Sequence, residues 1–234
     1  ASTVRPSWLI PLMVHKLLDR PTTRSDPKAI AAVKAEAKAL VDAGTWLEST
    51  VIEKDVLIAK AKADGETIHL GELMSICSIK GHERPPEYWR YKGRICYRGD
   101  NARDEQGALA VYQELSAHPT AINSANSNIG YGCLPGHRTS QSDAVRAYVQ
   151  SKLKSKHPTW VHIPYELWPP SWKDKGFKRP MCLLQMSLYG HPEAGGHWER
   201  HLTQAVEECG GQPVEAHPSS FWFPAEKALM TVYV

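Results

Sequence analysis

The sequence lacks a long apolar run, a paired-cysteine motif and a strong net charge. The apolar stretch near its start covers only Trp8 to Val14, is broken by Pro11 and has no small-residue cleavage site, so it is neither a membrane span nor a signal peptide. An odd number of scattered cysteines without a CxxC pair favours reduced thiols over a disulfide framework or a zinc knuckle. We therefore expect an intracellular protein, cytoplasmic or nuclear, that is not secreted and has no membrane partner. The cysteines are Cys77, Cys96, Cys133, Cys182 and Cys209.

The charge and size of the chain leave several classes of protein open. Lysine and arginine number 28 and aspartate and glutamate 25, which leaves a formal charge of +3. This excess is too small to indicate nucleic-acid binding by itself, so the placement of the charges has to decide. With 234 residues, 42% of them apolar, the chain can bury a real core. It begins at Ala1 and stops inside a strand-like run, Ala228 to Val234, so we expect an excised piece of a longer polypeptide.

Local patterns predict an α+β fold in which helices and antiparallel hairpins mix without regular βαβ alternation. The clearest helix follows Asp26, which can cap it, and Pro27, which suits its first position, and it ends at Gly44. A second clear helix covers 196–209 and stops at two glycines. The other predicted elements are a hairpin over 71–80 and 88–98, a helix over 104–117, an irregular loop over 122–140, and strands over 159–164, 181–187 and both sides of a turn at 224–227.

A row of cations occupies the second strand of the predicted hairpin, "RYKGRICYR". The cations share one parity, so a regular strand directs them to one face and its apolar residues to the other. Such a face can hold phosphates or a nucleic-acid backbone, since guanidinium groups match phosphate oxygens. The alternative is a solvated outer surface. The cations are Arg90, Lys92, Arg94 and Arg98.

A lone carboxylate, Asp143, stands in "SQSDAVRAYVQ" between polar residues and a short apolar run. Burial of a carboxylate requires a partner. Three interpretations are therefore open: Asp143 caps a helix over 144–149, forms half of an ion pair, or is a metal ligand that needs others.

The stretch "QSDAVRAYVQ" resembles the first catalytic motif of copia-type retrotransposon reverse transcriptases, in which an aspartate ends a palm strand and an aromatic residue follows five positions later, here Tyr148. Five further stretches over 26–234 resemble the family's landmarks in the same order, and together they are specific where one alone would be weak. They are "AGTWLES", the fingers-like "RYKGRICYRGD", "TWVHIPYELWP", "SLYGHPEAGGHWERHL", and "MTVYV", which is similar to the approach to the family's Tyr-Val-Asp-Asp.

The resemblance implies an α+β fragment of a Pol polyprotein from a transposable element, truncated just before the catalytic hairpin. Its parts would be an N-terminal tail over 1–25, a fingers-like region over 26–118, and a partial palm with interleaved fingers segments over 119–234. The implied parent is an RNA-directed DNA polymerase that performs nucleotidyl transfer with two Mg²⁺ ions. The implied partners are an RNA template, a DNA primer, deoxynucleoside triphosphates, and the remaining palm, thumb and RNase H regions.

The resemblance also assigns roles to single residues. Asp143 would be the catalytic residue and a ligand of the magnesium ions, with the backbone of Ala144 beside it. Tyr148 would lie under the sugar of the incoming nucleotide and exclude a 2′-hydroxyl by its bulk. The remaining nucleotide-binding residues would be Lys92 and Arg94 at the triphosphate and Tyr189 and Gly190 in the nucleotide and template pocket, while Arg90 and Arg98 would bind nucleic acid.

The sequence departs from the family pattern at two places. After "SLYG", His191 to Gly195 replace the family's Leu-Lys-Gln-Ala-Pro, which removes a basic residue. The family's two aspartates would come directly after Val234, the last residue given, and are therefore absent from this piece. One carboxylate cannot hold two magnesium ions, so we expect this piece alone to be inactive. The alternative function is a degenerate, non-catalytic remnant that binds nucleic acid or acts as a scaffold.

A zinc site is a third hypothesis. "HWERH" places His197 and His201 four residues apart on a predicted helix, as in zinc proteases. The acid is at Glu199 instead of directly after the first histidine, so the HExxH signature is not met. Trp198, in the apolar stripe of the same helix, favours a packed helix instead.

Overall fold

A six-stranded mixed sheet forms the centre of the fold in a computed structural model, which describes residues 15–113 and 120–233. Its strands pair antiparallel except β3 with β5, which are parallel. Together with the helices, this sheet confirms the predicted α+β class. The strands are β1 (His15–Leu17), β2 (Trp46–Glu53), β3 (His69–Lys80), β4 (Arg90–Tyr97), β5 (Thr159–His162) and β6 (Pro180–Leu184).

Strand β3 is the longest strand of the sheet and organises its neighbours. Its residues 73–80 pair with β4 along one edge, as the predicted hairpin requires. On the opposite edge, β5 pairs with residues 69–72 and β1 with residues 78–80. Among the described residues, 73–76 therefore have no partner strand on that edge, and the Cys77 carbonyl accepts from the Leu18 N–H at 2.9 Å. Residues 15–25, predicted as part of a tail, form β1 and a short helix, α1 (Arg20–Ser25).

Helix α2 (Pro27–Asp42) confirms the clearest helix prediction. The Asp26 carboxylate accepts a hydrogen bond from the Lys28 N–H at 2.8 Å, which caps the first turn. The helix packs on β4 at Gly93, where an added Cβ would lie 2.5 Å from the Ala32 carbonyl oxygen. This close approach places α2 beside the strand that carries the predicted cations. The residues that the helix buries are Ala29, Val33, Ala37 and Leu40.

The other elements of the described chain include three more helices, α3 (Lys54–Asp64), α5 (Pro170–Asp174) and α6 (Ala194–Glu208). Helix α6 matches the prediction over 196–209, and its Trp198 and Val206 are buried as the apolar stripe requires. A second sheet contains β7 (Gln212–Pro213), β8 (Ser220–Phe223) and β9 (Ala228–Thr231), and it includes the predicted hairpin. No helix in the described part of the chain is long and apolar enough to cross a membrane.

The loop predicted over 122–140 is wrong for its first half, because residues Ile122–Gly132 form helix α4. Three polar residues on one side of α4 bind the second sheet and its loops. The Ser124 hydroxyl forms a hydrogen bond with the His217 ring at 2.8 Å. The Asn128 amide forms one with the Thr231 hydroxyl at 2.8 Å, and the Tyr131 hydroxyl donates to the Lys227 carbonyl at 2.8 Å. Tertiary contacts thus stabilise a helix whose Asn, Ser and Gly residues have low intrinsic helix propensity.

The helix predicted over 104–117 is also wrong for its described part, 104–113. The Asp104 carboxylate accepts hydrogen bonds from the N–H groups of Gln106 at 2.9 Å and Ala108 at 2.8 Å. These bonds close a turn, and Gly107 within it has a φ of +90°. An aspartate that binds the backbone just after it favours a turn over a helix interior. Residues 114–117 of this prediction lie outside the described residues.

Candidate functional site

Strand β4 presents the predicted cations on one exposed face. Arg90, Lys92 and Arg94 are exposed, while the alternate residues Gly93 and Ile95 are buried. Within 15–113 and 120–233, none of these three cations has an ion-pair or hydrogen-bonded side-chain partner. They are therefore available to an anion from solution.

Arg98 does not belong to this free row, although the sequence pattern grouped it there. It lies just after β4, which ends at Tyr97. Its guanidinium group lies 3.7 Å from the Glu72 carboxylate and 3.2 Å from the Asp100 carboxylate. The end of the strand breaks the alternation, and two nearby acids hold the side chain. We therefore leave Arg98 out of the candidate nucleic-acid contacts.

A chain pairing brings Tyr148 beside Tyr189. Ser187 N–H donates to the Ser151 carbonyl at 2.9 Å, and Leu153 N–H donates to the Gln185 carbonyl at 2.9 Å. This single antiparallel bridge, Lys152 with Met186, holds the segment after Tyr148 beside the segment before Tyr189. The rings of Tyr148 and Tyr189 are 4.7 Å apart, edge to face.

The Tyr189–Gly190 turn docks on the end of β4. The Tyr97 N–H donates to the Tyr189 carbonyl at 2.7 Å. Gly190 has a φ of +85°, and an added Cβ would overlap the Tyr97 carbonyl oxygen. Glycine is therefore required there both by backbone conformation and by contact. This docking fixes Tyr189 next to the exposed cations of β4.

The electrostatic surroundings of Tyr189 show which charges reach its hydroxyl. Burial is the largest cause that raises the pKa of Tyr189, and Arg94 opposes it with a positive charge. The neighbouring Tyr148, Asp143 and Glu36 raise the pKa further. Residues from three other parts of the chain thus act electrostatically on the Tyr189 hydroxyl. Five of the predicted site residues meet there or adjoin it: Arg94, Asp143, Tyr148, Tyr189 and Gly190.

Asp143 itself is exposed and lies in a segment without regular structure, 137–144. It ends no strand, contrary to the expectation from the resemblance. It also caps no helix, because the following 3₁₀ turn (Ala147–Gln150) begins after Arg146, whose φ is +53°. Asp143 has no hydrogen bond or ion pair with another described residue. Its neighbours are exposed, including the apolar Ala144 and Val145, so the segment buries no apolar side chain that could hold it in a sheet.

The ligands for a magnesium ion at this site are incomplete among the described residues. Asp143 is one carboxylate, and the nearby Glu36 already pairs with Arg146 at 3.4 Å. No group of three His, Cys, Asp or Glu side chains in 15–113 and 120–233 is arranged to hold a metal ion. Mg²⁺ takes six oxygen ligands in near-octahedral geometry. The donors among the described residues therefore do not fit a magnesium ion by themselves.

The zinc hypothesis finds no third ligand in the described chain. His197 faces the interior and is 4% exposed, whereas His201, one turn later, is exposed. His197 Nε2 lies 3.5 Å from a Glu193 oxygen, at the outer limit of a hydrogen bond. The two histidines therefore lie in different surroundings, and one of them belongs to a buried polar cluster.

This buried polar cluster is the feature that the sequence analysis missed. Glu193 is 1% exposed. Its carboxylate accepts hydrogen bonds from the Gln113 N–H at 2.9 Å and from the Ser155 hydroxyl, and its own N–H donates to His191 Nδ1 at 3.2 Å. Burial acts to raise the pKa of Glu193, but the bonds from Ser155 and Gln113 to its carboxylate, with the nearby His191 and His197, lower the pKa overall. The Glu-x-x-x-His spacing at the start of α6 was the available signal.

The cluster lies directly behind the Tyr189–Gly190 turn. His191 follows that turn and packs its ring against Tyr97 at 4.9 Å and Tyr112 at 5.1 Å. The hydroxyl groups of Tyr97 and Tyr112 are 2.6 Å apart. Where the family has a basic residue after "SLYG", this chain thus has His191 and Glu193, whose buried contacts stabilise the Tyr189–Gly190 turn.

No protein-family model, curated protein or solved structure matches this chain. The functional conclusion therefore depends on the residues around Tyr189 and on their chemistry.

Proposed function

We propose that the chain comprises the fingers and part of the palm of a copia-like reverse transcriptase, and that the residues around Tyr189 form its pocket for the incoming deoxynucleoside triphosphate. One observation carries this proposal. Tyr148 and Arg94 come from two different motifs of the sequence, yet the ring of Tyr148 contacts Tyr189, from a third motif, and the charge of Arg94 acts on the Tyr189 hydroxyl. The resemblance gives all three to the nucleotide, and the arrangement supports that assignment.

The chemistry of these side chains suits a nucleoside triphosphate. Lys92 and Arg94 lie two residues apart on one face of β4, about 7 Å by strand geometry, which matches a chain of phosphates. Cations that have no protein partner are the groups that phosphoryl transfer needs around the triphosphate. Tyr148 offers a bulky edge to the sugar, and Tyr189 with Gly190 forms the adjoining wall.

Magnesium binding at Asp143 stays a prediction. The proposed activity of the described residues is nucleotide binding, with RNA template and DNA primer as the proposed nucleic-acid partners. Asp143 would contribute one oxygen ligand, and the other ligands would come from outside the described residues. The Asp143 negative charge near Tyr189 supports its place in the same site.

The test is a nucleotide titration of the ¹⁵N-labelled chain, followed by amide chemical shifts, with dATP and ATP in parallel. We expect dATP to bind more tightly and to shift residues around Tyr189. Arg94→Gln should weaken both nucleotides about tenfold, because it removes one charge-assisted hydrogen bond. Tyr148→Ala should reduce the preference for dATP over ATP, because the bulk under the sugar is gone.

Arg20→Gln is the matched control, since Arg20 is exposed on α1 and remote in sequence from the site. Its nucleotide affinities should equal those of the wild type. Failure of the wild-type chain to bind either nucleotide would refute the proposal. If Arg94→Gln and Arg20→Gln weakened nucleotide binding equally, the binding would be nonspecific charge attraction and the proposed pocket would be wrong.

A second function, sequence-independent binding of nucleic acid without nucleotide selection, is favoured by the unpaired row of Arg90, Lys92 and Arg94. Three phosphate contacts would give log affinity a slope of about −2 to −3 against log salt concentration. Binding of an RNA–DNA hybrid with that salt dependence, together with equal and weak response to dATP and ATP, would select this function over the first.

A further inference from the structure

A cavity of about 470 Å³ lies over β3, on the opposite side of α2 from the candidate nucleotide site. It is bounded by α1, α2, the middle of β3 and the segment 165–167 that follows β5. This is the part of β3 that has no partner strand between β1 and β5. The gap in the sheet explains why a cavity forms here. Its volume lies within the range of about 300–1,000 Å³ that is typical of small-molecule sites.

The walls of the cavity are mostly apolar, although Thr23, Ser75 and Tyr165 also carry hydroxyl groups. Ile30, Val33 and Leu167 line it, and Tyr165 adds an aromatic ring. Ser75 also lines it, while the Oγ atom of Ser75 is buried and has no hydrogen-bond partner among the described residues. The cavity therefore suits a ligand that is mostly apolar.

Of the two cations that line the cavity, one has no ion-pair partner in the described chain, and a further lysine outside the lining, Lys173, lies 4.7 Å from the centre of the Tyr165 ring. Arg24 lies 3.7 Å from the Glu166 carboxylate, so these two charges balance each other. Lys34 is exposed, lines the cavity, and has no ion-pair partner within 15–113 and 120–233. An apolar cavity with an aromatic wall and a free cation at its edge complements an aromatic anion.

The cavity is separate from the site around Tyr189. Lys34 and Glu36 are two residues apart on α2, which places them about 200° apart around the helix axis. Glu36 acts on Tyr189 and pairs with Arg146, whereas Lys34 faces the cavity. The two sites therefore lie on opposite flanks of α2 and share no lining residue.

We propose that this cavity binds a flat aromatic molecule with one negative charge. The rings would occupy the apolar walls beside Tyr165, and the anionic group would face Lys34. This binding does not depend on the proposed nucleotide site.

Two probes that share the same rings and differ by one charged sulfonate group can test the proposal on the intact chain. They are 8-anilinonaphthalene-1-sulfonate and N-phenyl-1-naphthylamine, which has the same rings without the sulfonate. We expect the sulfonate to bind saturably with one site per chain and more tightly than the neutral probe. Amide shifts should centre on Ser75 and Leu167, in a spectrum that stays dispersed, which excludes probe uptake by a loosely packed state.

Lys34→Gln and Lys38→Gln form a matched pair of variants on α2. Lys38 is exposed and pairs with Asp42 at 2.8 Å, away from the cavity lining. Lys34→Gln should weaken the sulfonate about two- to fivefold, the effect of one exposed ion pair, and should leave the neutral probe unchanged. Lys38→Gln should change neither. Equal binding of the two probes, equal effects of the two variants, or shifts centred on Tyr189 would each overturn the proposal.

Discussion

Replacing His191 with asparagine should make the folded protein less sensitive to acid. His191 is 4% exposed, and burial lowers its pKa to about 4 from an ordinary value of 6.5. The negative charge of Glu193 opposes this effect, while His197 and His69 add to it. The folded state therefore keeps His191 neutral at a pH where the unfolded chain has already taken up a proton.

The sign and size of the effect follow from these two pKa values. Below the ordinary pKa the unfolded state binds more protons than the folded state, so the free energy of unfolding falls as pH falls. The loss from His191 is about 2 kcal/mol between pH 7 and 5, and about 3 kcal/mol at pH 4. Burial also lowers the pKa values of His69 and His197, so they add acid sensitivity of the same sign.

Urea unfolding followed by circular dichroism at pH 7, 6 and 5 measures this loss directly. In His191→Asn the amide oxygen can still accept from the Glu193 N–H, which His191 Nδ1 accepts at 3.2 Å in the wild type. The variant should lose about 2 kcal/mol less than the wild type between pH 7 and 5. His201→Gln removes an exposed histidine from α6 and should keep the wild-type pH dependence. Identical pH dependence in His191→Asn and the wild type would refute this account of the buried histidine.

Two further variants probe the support behind the Tyr189 turn by urea unfolding at pH 7. Glu193→Ala should cost about 2–3 kcal/mol, because the Gln113 N–H and the half-buried Ser155 hydroxyl lose a charged acceptor. The exposed Glu207→Ala on the same helix should change stability by less than about 0.5 kcal/mol, and similar losses in both would contradict the cluster. Gly190→Ala should cost at least about 2 kcal/mol, because it combines a positive φ with overlap on Tyr97. Gly136 has a φ of +80° but open space around it, so Gly136→Ala tests the backbone conformation alone. An equal loss of stability in Gly136→Ala and Gly190→Ala would mean that the contact with Tyr97 does not matter.

The elements that the sequence predicts well are those whose signals lie in neighbouring residues. Helix α2 has its cap at Asp26 and its Pro27 at the first position, and the β4 hairpin strand has strict alternation. The same local rules fail for α4, because its stability comes from hydrogen bonds to residues about 100 positions away, such as Tyr131 to Lys227. No window of the sequence contains both partners.

The candidate site divides in the same way. The exposed face of Arg90, Lys92 and Arg94 follows from strand parity alone and is present in the structure. The Tyr148–Tyr189 contact depends on a pairing between two distant segments, which periodicity cannot reveal and which only the family resemblance suggested. The predicted strand end at Asp143 is absent, because the residues on both sides are exposed, including the apolar Ala144 and Val145, and the segment buries no apolar face.

The central claim is that Tyr148 and Tyr189 act together in one nucleotide pocket, and a double-mutant cycle tests it most directly. The measurement is dATP affinity in the wild type, Tyr148→Ala, Tyr189→Ala and the double variant. Rings 4.7 Å apart that share a ligand should show a coupling energy of about 0.5–1.5 kcal/mol. Additive losses, or undiminished affinity in the double variant, would contradict the claim.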